Sequence, residues 1–176
     1  MKYFKKELWR AFNNDSIPFA KADAEWNRGR VNYWRQFRKL SNRLSVSAKT
    51  FFKSVTLHDG RLLRFETGEY IDFKKNNIKL FNQPDVRISV INEEDTHIYT
   101  LRYYKAEKVI FDFPSTEPLF YGKGSTIGDW GYDELTSAGS KLFRHEILFS
   151  SGAIILVESP RITVQATKIS KGSVKR

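Results

Sequence analysis

The chain has 176 residues, no cysteine and a formal net charge of +10, with 40% hydrophobic and 15% aromatic residues. The missing cysteine excludes disulfide scaffolds, thiolate nucleophiles, cysteine-ligated zinc and iron–sulfur clusters, while this length allows one core to bury about 70% of the surface that the unfolded chain exposes. The charge is polarised: residues 1–53 hold 13 Lys or Arg against 4 Asp or Glu, residues 54–167 hold 13 against 16, and 168–176 add four cations.

The opening residues Met1 to Arg10 lack the continuous apolar core of a secretion signal, and the longest aliphatic run, Ala153 to Val157, is far too short to cross a bilayer. A cytosolic protein is expected. Phe4, Leu8 and Phe12 recur every four residues ahead of Asn13-Asn14-Asp15, which predicts one short helix. Ser16-Ile17-Pro18 then offers a start signal, because proline suits a first helical turn. In the long helix that follows, Trp26, Tyr33, Trp34, Phe37, Leu40 and Leu44 share an arc, and Arg28, Arg35, Lys39 and Arg43 fall nearly opposite. Arg30 lies on the apolar arc, and Gly29 weakens the helix locally.

From Lys53 the period becomes two. Phe52 to His58 and Arg61 to Glu66 read as strands joined by a tight Asp59-Gly60 hairpin. Further strands are expected at 69–74, 77–81, 86–92, 97–105, 108–113, 142–150, 153–158 and 161–168, with Asn76-Asn77, Glu93-Glu94-Asp95 and Ser151-Gly152 at turns. Residues 114–141 carry no assignable pattern. Helices first and strands afterwards predict an α+β fold, with N-terminal helices packed on a meandering, curved antiparallel sheet or partly open barrel. A single domain over 1–168 is expected, with 1–53 helical, 54–168 sheet, and 169–176 a basic tail.

Several chemistries can be weighed against plainer explanations. Gly122 to Gly131 is glycine-rich, but it fits neither the spacing of a P-loop nor that of a dinucleotide fingerprint, so it reads as a surface loop. The three histidines are too scattered for a metal motif, and no metal or cofactor is expected. His97 and His145 share parity with apolar neighbours and point inward; with Asp112 they form a candidate polar pocket inside the sheet, against the alternative that they are hydrogen-bonded core residues. Asp129, Asp133 and Glu134 form an acidic group that reads as a solvated loop. No serine lies in a nucleophile elbow. The basic stripe of Arg28, Arg35, Lys39 and Arg43 could attract phosphates or an acidic protein, whereas Trp26, Tyr33, Trp34 and Phe37 read as core rather than as base-stacking platforms.

Met1-Lys2-Tyr3-Phe4-Lys5-Lys6-Glu7-Leu8-Trp9, Trp26 and Tyr33, Leu57-His58-Asp59, Tyr132-Asp133-Glu134 and Ile147 to Gly152 together resemble a family of small bacterial proteins, a domain of unknown function. The resemblance implies a bacterial cytosolic protein, transfers no activity, cofactor or catalytic residue, and draws attention to His58 and Asp59. Three expectations result. The first is a non-catalytic protein-interaction module; the second is nucleic-acid binding through Arg28, Arg35, Lys39 and Arg43; the third is a small-ligand site or hydrolase centre inside the curved sheet.

Overall fold

A computed structural model describes residues 1–14, 18–72, 79–113 and 127–170. It contains the helices α1 (Lys6–Asn14), α2 (Phe19–Leu40) and α3 (Val46–Ser54) and the strands β1 (Gly60–Asp72), β2 (Lys79–Ile91), β3 (His97–Tyr104), β4 (Lys108–Asp112), β5 (Asp129–Ala138), β6 (Leu142–Phe149), β7 (Ile154–Ser159) and β8 (Arg161–Lys168). The strands form one antiparallel sheet in the order β4-β7-β6-β5-β1-β2-β3-β8. Two meanders, β1 to β3 and β5 to β7, are thus joined through β1 and β5, and the expected α+β architecture is present. None of the described helices is long and apolar enough to cross a membrane.

The sheet is curled but not closed. Five strands lie between β7 and β8 in the sheet order, yet only Pro160 separates them in the chain. Such a short connection forces the two ends of the sheet to approach each other. Across the enclosed space the Tyr103 hydroxyl of β3 reaches Nδ1 of His145 on β6 at 2.5 Å. The interior is filled by alternate residues, including Val86, Ile88, Leu101, Leu135, Phe143, Ile147, Phe149, Ile155 and Ile162, as the two-residue period of a one-sided sheet requires.

Several expected boundaries change. The long helix stops at Leu40 and passes through a 3-10 turn, Ser41–Arg43, to an extended Leu44. Val46–Ser54 is helical, which corrects the strand expected from Phe52: Ala48, Phe51 and Phe52 are buried on one helical face, and the Ser45 hydroxyl caps the helix by accepting from the Ala48 amide at 3.3 Å. Asp59-Gly60 therefore does not join two strands. Asp59 takes the left-handed conformation at φ 61°, and Gly60 admits the carbonyls of Leu57 and Ile91, which a Cβ would meet at 2.8 Å. The strands expected on either side of Pro84 are one strand, β2. Pro84 lies before Val86, where pairing with β3 begins, so its missing N–H falls on an edge. The Asn76-Asn77 turn, most of the glycine-rich loop and the end of the basic tail fall outside the described residues.

The segment 1–5 acts as a strap over the outer face of β5. Glu134 is fully buried there, and its carboxylate accepts the backbone N–H of Lys2, that of Tyr3 at 2.8 Å and that of Phe4 at 3.2 Å. Opposite it in the sheet stands Glu146, which receives the Met1 amino group at 3.1 Å. The strap also presses on α2, because the Tyr3 carbonyl would lie 2.6 Å from a Cβ at Gly29. Gly29→Ala sets two effects against each other. Helix propensity alone favours alanine by about 0.8–1.0 kcal/mol, whereas crowding against backbone costs about 1–3 kcal/mol. A net loss of about 1 kcal/mol is expected in urea unfolding, and a stabilised variant would show that the strap does not seat on α2.

Candidate functional site

β5 pairs with β6 along its length but with β1 only through Gly60↔Trp130 and Arg61↔Asp129. Beyond that point the two strands part, and α2 covers the exposed edge of β5. The Leu135 amide donates to the Tyr33 hydroxyl at 3.3 Å, and the Leu135 carbonyl accepts from Gln36 Nε2 at 2.8 Å. Two helical side chains thus satisfy a main-chain pair that a strand would otherwise hold. By the alternation of an antiparallel edge, the amide and carbonyl of Asp133 point the same way.

A cavity of about 310 Å³ opens at this split. Its walls are Phe4 from the strap, Tyr33 and Trp34 from α2, the 51–56 stretch of α3 and its extension, His58, and Gly131 to Asp133 of β5. The rings meet at steep angles: Phe4 and Tyr33 at 57°, Tyr33 and Trp34 at 65°, Phe51 and Phe52 at 81°, His58 and Tyr132 at 71°. Tyr132 is a hub, touching Phe4, Trp9, Trp26 and His58. Gly131 is required beside it, because a Cβ there would run into the Trp9 ring.

Asp133 lines this cavity with its side chain 24% exposed. Its Oδ1 accepts from Trp130 Nε1 at 3.0 Å and its Oδ2 contacts His145 Nε2 at 3.1 Å. Behind it, His145 is fully buried, with Nδ1 against the Tyr103 hydroxyl. Among the described residues the Tyr103 hydroxyl has no other polar partner, and a buried O–H must find an acceptor. It therefore donates to Nδ1, which leaves the hydrogen of a neutral imidazole on Nε2, aimed at Asp133. Burial, followed by the charge of Asp133, raises the pKa values of Tyr33 and Tyr103 above the ordinary tyrosine range. Both phenols stay protonated.

The expected site residues separate. His97 sits on the rim of β3, its Nδ1 3.0 Å from the Thr96 hydroxyl, and Asp112 is exposed at the end of β4, opposite Ile154. Neither contacts His145, whose partners are Tyr103, Asp133, Phe52 and Trp130. Parity places His145 in the interior but cannot supply its partners, because Asp133 comes from the unassigned segment 114–141. The acidic group is no solvated loop. Asp133 and Glu134 lie on opposite faces of β5, one toward the cavity and the other under the strap.

Arg28, Arg35 and Lys39 are exposed on the outward stripe of α2, with Arg35 donating to Asn32 Oδ1 at 3.2 Å. Arg43 leaves that group: its guanidinium covers the Phe143 ring at 4.9 Å and donates to the Ser137 hydroxyl. Trp34 is 37% exposed rather than core, and Arg30 is exposed instead of buried on the apolar arc. His58 and Asp59 pair at 2.9 Å on the cavity rim. The opening strap, Trp26, Tyr33, His58, Tyr132 and Asp133 meet around this cavity. Comparison with protein-family models, curated proteins and solved structures finds no match to the chain.

The buried phenols fix the sign of a pH effect. A tyrosine raised in the folded state contributes its full stability below the unfolded value of 10.0 and loses it as pH climbs above that value. Unfolding free energy should hold level to about pH 9, then fall by up to about 1.4 kcal/mol per pH unit for each of the two groups. Urea melts at pH 8, 10 and 11 measure this, and Tyr103→Phe should flatten part of the slope while costing about 1–3 kcal/mol at neutral pH through the unpaired His145 Nδ1.

Proposed function

We propose that this protein binds a small ligand in the aromatic cavity at the β5–β1 split, without catalysing its conversion. The observation that carries this reading is Asp133, a carboxylate fixed at both oxygens and presented to a concave, ring-lined space. A ring-lined pocket with a few placed polar groups, here Asp133, His58, Ser54 and Thr56, is the usual form of a small-molecule site, and about 310 Å³ is at the lower end of the range for such sites. Binding is favoured over acyl transfer because, among the described residues, the rings of His58 and His145 bond to Asp59, Tyr103 and Asp133 and to no serine or threonine hydroxyl. Ser54 and Thr56 also line the cavity, and the Thr56 hydroxyl accepts from the His58 backbone amide at 3.3 Å instead of bonding to its ring. This reading moves the ligand site expected inside the curved sheet to the opening between helices and sheet.

Mapping with amide NMR tests the proposal. Small cationic, neutral and aromatic fragments should shift resonances grouped at Tyr33, Trp34, Lys53 to Thr56 and Gly131 to Leu135. If no fragment moves that group, the cavity is not a ligand site.

A second reading, polyanion binding, rests on α2. Among the described residues Arg28, Arg35 and Lys39 enter no ion pair with a carboxylate, so their charge is available to phosphates or to an acidic protein surface. Affinity for labelled single and double strands should fall steeply between 50 and 200 mM salt and be lost in Arg35→Glu/Lys39→Glu. Salt-independent or unchanged binding would eliminate this reading.

A further inference from the structure

We infer that the cavity selects an organic cation carrying a methylated or quaternary ammonium group, with Asp133 as its counter-ion and the surrounding rings as its walls; the inference rests on the cavity being a ligand site.

The reasoning begins with charge. Both oxygens of Asp133 are held by neutral donors, the Trp130 indole N–H and the imidazole N–H of His145. Hydrogen bonds from neutral groups orient a carboxylate but do not cancel its charge. No Lys or Arg among the described residues lies within ion-pair distance of it, although Arg61, Arg64, Arg102 and Arg144 all find carboxylates elsewhere. Asp133 is therefore a partly buried carboxylate that no Lys or Arg among the described residues pairs with, its one imidazole partner lying behind it at His145, and partly buried charges gain most from a partner at short range.

The walls define which cation fits. Phe4, Tyr33, Trp34, Phe51, Phe52 and Tyr132 line the space, and because Phe4 and Tyr33, Tyr33 and Trp34, and Phe51 and Phe52 are inclined at 57°, 65° and 81° while Phe4 and Tyr132 lie at 23°, ring surface is offered from several directions. An aromatic enclosure attracts cations through the ring quadrupoles, and methylated ammonium suits it best because its charge is spread over groups that need no hydrogen bonds. A primary ammonium would need acceptors for three N–H bonds, which rings supply poorly. Lys53 also borders the cavity, but it is exposed on α3, and its long side chain can turn its ammonium into solvent.

Choline and its neutral isostere 3,3-dimethyl-1-butanol test the inference on the full chain, by calorimetry and by the amide shifts of Lys53 to Thr56 and Asp133. Choline should bind at least about tenfold more tightly than the alcohol. Asp133→Asn should remove most of that preference while leaving the alcohol unaffected, and Lys53→Ala should bind choline as tightly as the native chain or more so. Equal binding of choline and alcohol, or a preference that survives Asp133→Asn, overturns the cation assignment and leaves the ligand site standing. Absence of choline shifts where neutral fragments still shift the same amides overturns it equally. If Asp133→Asn fails to fold, the choline-to-alcohol ratio in the native chain and in Lys53→Ala decides alone.

Discussion

A buried carboxylate organises the outer half of this protein. Glu134 lies on β5 with no solvent contact and directly opposite a second acid, Glu146, an arrangement that like-charge repulsion and desolvation would both oppose. Three backbone N–H groups of the strap answer it, and the Met1 amino group answers Glu146. Because these donors belong to consecutive main-chain units, satisfying the acid fixes the path of the strap. That path delivers Phe4 to the cavity, sets Tyr3 on α2 at Gly29 and leads into α1, whose Trp9 rests on Gly131. A polar requirement on one face of β5 thereby builds the wall of a pocket at its edge.

The second organising element is the separation of β5 from β1. An open strand edge normally invites another chain, and here α2 occupies it with Tyr33 and Gln36. The substitution is local, covering Leu135 but leaving the stretch around Asp133 next to open space. Fold and candidate site thus have one origin: a strand pair that ends after two residues on each side, a helix that covers part of the resulting gap, and a cavity in the remainder.

Much of the architecture was legible in the sequence because amphipathic periodicity is a local property. The apolar arc of α2 held for Tyr33, Phe37 and Leu40, and alternation marked most of the strands near their observed positions. β5 did not show it, for a physical reason. A register irregularity between Trp130 and Tyr132 shifts the phase of the strand, so Trp130 and Leu135 are both interior while lying on opposite parities. α3 escapes the two-residue pattern because Phe52 to His58 is too short to separate a helix end from a strand start, and the decisive signal lies upstream at Ser45. The candidate pocket residues failed for another reason: inward parity placed His145 correctly, but which side chains meet across a curled sheet depends on the curl, which follows from Pro160 and from where β1 and β5 diverge.

The junction at Pro160 has a temporal consequence as well. β8 pairs with β3, formed far earlier in the chain, and the start of α3 is stitched to β8 through Ser45 to the Ile162 carbonyl at 2.6 Å and through Ser47 to the Val164 amide at 3.1 Å. The two meanders can assemble from neighbouring segments, whereas this closure is a long-range event of the kind that slows folding. Phe51, Phe52 and Lys53, the α3 wall of the cavity, therefore belong to the helix that this long-range pairing ties to the sheet. Any ligand held in the cavity would lend its binding free energy to the native state as mass action dictates, making the pocket a clasp on the seam between α3 and β8.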